Sequence, residues 1–110
     1  MFEGLKVYIA GPITGTDDYK ERFAEAEKYL RSLGAYPMHS AGLPQQGFSH
    51  AEYLHICFAM IDVCEAAYFL DGYSDSEGSK KEFCYAALKN KQLLYEGLDP
   101  AWKFDNAVRS

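Results

Sequence analysis

Glu82 stands where a side-chain carboxylate and a bound anion could meet. The stretch from Ser74 to Lys91 reads SDSEGSKKEFCYAALKNK, a loop that turns directly into a helix. Ser76 is placed to cap that helix by accepting hydrogen bonds from backbone N–H groups ahead of it. A helix start presents unpaired N–H groups and the positive end of the peptide dipole. Gly78 would let a ligand approach the backbone closely. Lys80 and Lys81 sit where the dipole disfavours cations, an arrangement that makes sense beside an anion. Glu82 falls in the second turn, next to Phe83, Ala86 and Ala87 at helical spacing. The chemistry on offer is an anion pocket flanked by one carboxylate. The same residues also fit a capped surface helix with solvated lysines.

A second loop could join this one. Gly11-Pro12-Ile13-Thr14-Gly15-Thr16 follows the apolar run Leu5 to Ala10. A loop of this kind between strand and helix can cradle phosphate with backbone N–H groups and hydroxyls. It lacks both the Gly-Lys-Ser/Thr of a Walker loop and the spacing of a dinucleotide fingerprint. A plain tight turn also accounts for it.

The elements that must position these loops follow from periodicity. Leu5 to Ala10 is a short apolar run, the pattern of a buried strand. Asp18 and Glu21 read as a capping pair, followed by Phe23, Ala26, Leu30 and Leu33 on one helix face, with Gly34 as the stop. Tyr36 to Met38 is a weak strand. Residues 39 to 48 form a loop without periodicity. Ser49 and Glu52 make a capping box for a helix from His50 to about Val63, with Tyr53, Ile56, Cys57, Met60 and Ile61 on a broad apolar face. Cys64 to Leu70 reads as a strand, Asn90 as the end of the last helix, and Gln92 to Tyr95 as a final strand. In residues 96 to 110, Trp102 and Phe104 could pack on the core or on another subunit.

Strands alternating with helices imply right-handed crossovers and a parallel sheet covered on both faces. Ligands bind such sheets at the carboxyl edge, where strand order reverses. The loops at 11–16 and 71–78 would meet there.

Composition sets the outer limits. A chain of 110 residues with 48% hydrophobic content is expected to form a single domain. A net charge of −5 argues against duplex nucleic acid as a partner, while a local pocket could still hold a small nucleotide. Cys57, Cys64 and Cys84 are odd in number and form no Cys-x-x-Cys, so they read as small buried thiols in a reducing compartment. No signal peptide and no stretch of membrane-span length is visible, so a soluble cytoplasmic protein is expected. His55, Cys57 and a loop histidine would be the raw material of a metal site, but a His/Cys pair on an apolar helix is ordinarily packed, and neither metal nor cofactor is expected. His39 and His50 read as surface residues without a role.

Over roughly residues 5 to 95 the chain resembles the nucleoside 2-deoxyribosyltransferase-like superfamily, closest to its small, phage-associated branch of uncharacterised domains. The residues that carry it are Val7-Tyr8-Ile9-Ala10-Gly11-Pro12-Ile13-Thr14-Gly15, Phe23-Ala24-Glu25-Ala26-Glu27, Tyr53-Leu54, and Ser76-x-Gly78-x-x-x-Glu82 with Tyr85-Ala86. The resemblance implies one three-layer α/β domain, flavodoxin-like or Rossmann-like, with about four to five parallel strands and residues 96–110 as an extension. It also implies a homo-oligomer, a dimer or larger.

The chemistry implied is cleavage of the N-glycosidic bond of 2′-deoxynucleosides or their 5′-monophosphates. Glu82 would be the nucleophile that attacks the anomeric carbon, and Tyr8 the hydroxyl that orients it. Gly11, Pro12, Thr14, Gly15, Ser76 and Gly78 would line the substrate and phosphate site. Lys80 and Lys81, if close, would help keep Glu82 ionised. Ser76 stands six residues before Glu82, where family hydrolases of monophosphates carry serine and transferases acting on free nucleosides carry an acid. The chain departs from the pattern twice. Thr14 stands where those hydrolases have arginine. Cys57, eight residues before Glu65, stands where the family has an aspartate linked to protonating the leaving base. A thiol is a poor acid for that task. The alternative reading is therefore a nucleotide-binding module that kept the pocket and lost the chemistry.

Overall fold

A computed structural model describes residues 2–13, 16–44 and 46–97. Thr14, Gly15, Trp102 and Phe104 lie outside the described residues. Among the described residues four strands, β1 (Lys6–Ala10), β2 (Tyr36–Met38), β3 (Ala66–Phe69) and β4 (Gln92–Tyr95), alternate with three α-helices, α1 (Tyr19–Ser32), α2 (His50–Val63) and α3 (Glu77–Leu88). The strands form one sheet in the order β2-β1-β3-β4, every pair parallel. Val7 faces Ala66 and Tyr8 faces Ala67 across the central pair. The parallel sheet expected from the alternation and the flavodoxin-like arrangement implied by the resemblance are the ones observed, with strand order reversing between β1 and β3.

Side-chain parity on β1 divides the core. Val7 and Ile9 join Phe23, Ala26 and Leu30 of α1 on one face of the sheet. Tyr8 and Ala10 point the other way, against Cys57 and Ile61 of α2 and Ala86 of α3. Successive strand residues alternate faces, so this parity carries the Tyr8 phenol to the α2–α3 side. Among the described residues no helix is long and apolar enough to cross a membrane.

Local signals in the sequence account for most of the boundaries. Ser49 accepts from the Glu52 N–H, and the Glu52 carboxylate accepts from the Ser49 N–H, a complete capping box at the start of α2. Gly34 ends α1 at φ +90°, and Asn90 follows α3 at φ 60°, a conformation asparagine tolerates better than most residues.

Several expectations need correction. Asp18 occupies the N-cap of α1 but makes no side-chain cap bond, because its backbone is not in the extended conformation that aims a capping oxygen forward. The buried face of α3 is Ser79, Glu82 and Ala86, and Ala87 is exposed. Ile56 is exposed, since only Cys57 and Ile61 of α2 are fully buried. Cys84 is exposed, while Cys57 and Cys64 are buried.

Candidate active site

Both loops singled out in the sequence reach the carboxyl edge of the sheet. The Leu70 N–H donates to the Ala10 carbonyl, tying the exits of β1 and β3 together. Gly11 begins the first loop in full contact with Leu70, so close that an added Cβ would lie 2.8 Å from Leu70 Cδ1. Between these loops and the first turns of α2 and α3 lies a cleft of about 220 Å³.

Its floor is a buried acid. The Tyr8 hydroxyl donates to Glu82 Oε2, and both side chains are almost wholly shielded, at 1% and 7% exposure. Cys57 stands beside them, within hydrogen-bonding reach of both Tyr8 and Glu82, and Ser40 reaches Cys57 from the loop after β2. Burial pushes the Glu82 carboxyl up to about 7, with the Tyr8 and Cys57 hydrogen bonds pulling the other way. The Cys57 thiol is driven up to about 11, first by burial and then by the charge of Glu82. The Tyr8 phenol lies well above its ordinary range for the same reasons.

The lysines take no part in this. Lys80 pairs with Glu77 at 2.9 Å on the exposed side of α3, and Lys81 is exposed. At about 100° per residue, positions just before Glu82 face away from the surface it buries. The expectation that Lys80 and Lys81 would keep Glu82 ionised is therefore overturned: burial dominates, and neither lysine acts on the carboxylate.

Of the residues singled out in the sequence, Tyr8, Gly11, Cys57, Ser76, Gly78 and Glu82 all line the cleft. Pro12 packs near Gly72. The Ser76 hydroxyl accepts from the Ser79 N–H at 3.3 Å, the cap expected for α3, and its own proton stays available to donate. His39 is held by Glu27 at 2.7 Å, outside the cleft. Among the described residues no group of three or more metal-ligating side chains converges.

The sequence reading missed part of the wall. His50, Phe48, Ser40 and Ser79 line the cleft, and so does Tyr53, a core position by its helical spacing. Ser79 was legible in principle, because it precedes Glu82 by three residues on one helix face. The loop residues Ser40 and Phe48 carried no periodic signal.

The sequence family described as Domain of unknown function (DUF4406) matches residues 5–95. The chain belongs to the DUF4406 family. No curated protein matches this DUF4406 chain. Solved structures do. A CMP N-glycosidase of Clostridium botulinum superposes at TM-score 0.61 with 17% identity, covering 82% of the DUF4406 chain and 69% of its own. A 2-desoxiribosyltransferase from Leishmania mexicana gives TM-score 0.65 with 20% identity, covering 83% and 63%. A 2-deoxyribosyltransferase from Bacillus psychrosaccharolyticus gives TM-score 0.60 with 23% identity, covering 82% and 70%. The DUF4406 chain thus has a nucleoside 2-deoxyribosyltransferase-like fold, and it spans less than two thirds of the Leishmania protein's length.

Proposed function

We propose that this chain cleaves the N-glycosidic bond of a 2′-deoxynucleoside or its 5′-monophosphate, with Glu82 as the nucleophile. The observation that carries the reading is the buried Tyr8–Glu82 pair beneath the cleft at the carboxyl edge. A carboxyl raised to about 7 by burial is a poor choice for stability and a reasonable one for chemistry. The similarity of fold to an N-glycosidase and to deoxyribosyltransferases supports it.

In this mechanism Tyr8 fixes Oε2, and the carboxylate attacks the anomeric carbon through its free oxygen. A C–O bond forms, the C–N bond breaks, and the base leaves with the bonding pair and takes up a proton. Water or a second base then attacks the same carbon, and Glu82 departs as carboxylate. Ser76, with a hydroxyl proton to give beside the α3 N-terminus, suits a 5′-oxygen or a phosphate. Cys57, held near 11, is a weak proton donor to the base, and His50 is the imidazole on the same wall.

The test is base release, followed by chromatography, from deoxynucleosides and their 5′-monophosphates with wild type and Glu82→Gln side by side. Release by wild type alone is the expected result. Release by both would remove Glu82 from the chemistry. Cys57 favours the second reading, a nucleotide-binding module, and nucleotide binding without any release would establish it.

A further inference from the structure

The cleft has two rungs, and the mechanism above uses only one. Both α2 and α3 start at the carboxyl edge, as helices that return antiparallel to the strands must. Cys57 and Glu82 lie in the second turns and form the deep rung with Tyr8. One turn nearer the edge, at four and three residues' spacing on the same helix faces, stand Tyr53 and Ser79. Both line the cleft.

The hydroxyls of Tyr53 and Ser79 are buried and, among the described residues, have no hydrogen-bond partner. Ser79 as a whole is 2% exposed, and its Oγ is not folded back onto its own helix as serine often is. Leaving a buried hydroxyl unpaired is costly, so such groups call for a partner that arrives later. No lysine or arginine is among the described residues that line the cleft. Two neutral hydroxyls, each able to donate and accept, match a ligand hydroxyl, which does both as well. With the anomeric carbon held at Glu82, groups one rung away belong to the sugar ring.

We infer that the Ser79 and Tyr53 hydroxyls form a recognition pair for the 3′-hydroxyl of the substrate's pentose. The inference rests on the N-glycosidase reading for the placement of the anomeric carbon. It makes Ser79 and Tyr53 specificity-determining residues.

Adenosine and cytidine and their 5′-monophosphates, with the 2′-deoxy, 3′-deoxy and 2′,3′-dideoxy analogues of each, separate the 3′-hydroxyl from the 2′-hydroxyl. Binding is measured by calorimetry on the Glu82→Gln protein, alone and combined with Ser79→Ala or Tyr53→Phe. Base release is measured with Glu82 intact. Loss of the recognised hydroxyl should weaken binding at least about tenfold with Ser79 and Tyr53 present. Either substitution should flatten that discrimination, and neither should lower the melting temperature, since each removes an unpaired buried hydroxyl. Base release with unchanged sugar discrimination in both variants overturns the recognition pair and leaves the N-glycosidase reading standing. Sugar-selective binding without base release does the reverse. Failure of every nucleoside and every 5′-monophosphate to bind overturns both.

Discussion

Glu82 is the residue on which chemistry and stability meet. Burial favours its protonated form, so a fraction of the free protein near pH 7 lacks the nucleophile. For a carboxylate nucleophile, kcat/KM should therefore climb through about pH 7 and level off above it. The Tyr8 hydrogen bond lowers the Glu82 pKa, so Tyr8→Phe should move that limb to higher pH as well as slow the reaction. An unshifted limb in a pH–rate profile would mean that Tyr8 does not tune the acid. At the neighbouring position, Cys57→Asp would place two carboxyls side by side in a buried site, and one of them would hold its proton at neutral pH. That is the acid a departing base needs, and the variant should raise kcat by about tenfold or more, within the range of general acid catalysis. No gain in a variant with an unchanged circular dichroism spectrum would show that base protonation is not limiting.

At the scale of elements, the two site glycines serve different ends. Gly11 lies against Leu70, which is fully buried, and an added Cβ would sit 2.8 Å from Leu70 Cδ1 and 2.9 Å from its Cβ. Gly11→Ala should lower stability by about 1–3 kcal/mol in a denaturant titration, as overpacking does elsewhere. At Gly78 the nearest atom to an added Cβ is His50 Cε1, at 3.8 Å, an ordinary contact. Gly78→Ala should leave stability unchanged or raise it by up to about 1 kcal/mol, since alanine suits a helix better. Its effect should appear in ligand affinity instead. Equal destabilisation by both substitutions would show that Gly78 is there for packing.

At the scale of the molecule, the sheet edge is fastened by a network that spans α1, β3 and β4. Arg22 donates to the Asp71 carbonyl at 2.7 Å and to the Glu96 carboxylate at 3.2 Å, and Glu96 also accepts from the Asp71 N–H. This ties down the loop that leads into α3, so the site rests on a braced edge. The fold in turn bears the cost of its acid. Glu82 rises from 4.5 to about 7 on folding, so the native state binds the extra proton between those values. Stability from this group is fully present below pH 4.5 and is lost as pH rises through 7. At pH 8, Glu82→Gln should be more stable than wild type by about 3 kcal/mol, and near pH 4 the two should converge. Denaturant midpoints at the two pH values check this, and an equal difference at both would mean that the carboxyl does not titrate in that window.

The sequence by itself determined the elements and their order. Capping residues, helical and strand periods and glycine stops are local signals, and Ser49, Glu52, Gly34 and the run Val7 to Ala10 each carry one. It also determined that Ser76, Gly78 and Glu82 share a helix start, because their spacing is fixed by helix geometry. Only the tertiary structure decided what Glu82 meets. Tyr8 lies 74 residues away, and its side of the sheet depends on strand parity and on the β1–β3 pairing. The same packing turned Lys80 and Lys81 outward, left the Ser79 and Tyr53 hydroxyls without a partner among the described residues, and brought in Ser40 and Phe48 from a loop without periodicity. Burial raised the carboxyl, and burial is a property of the assembled core that no local pattern contains.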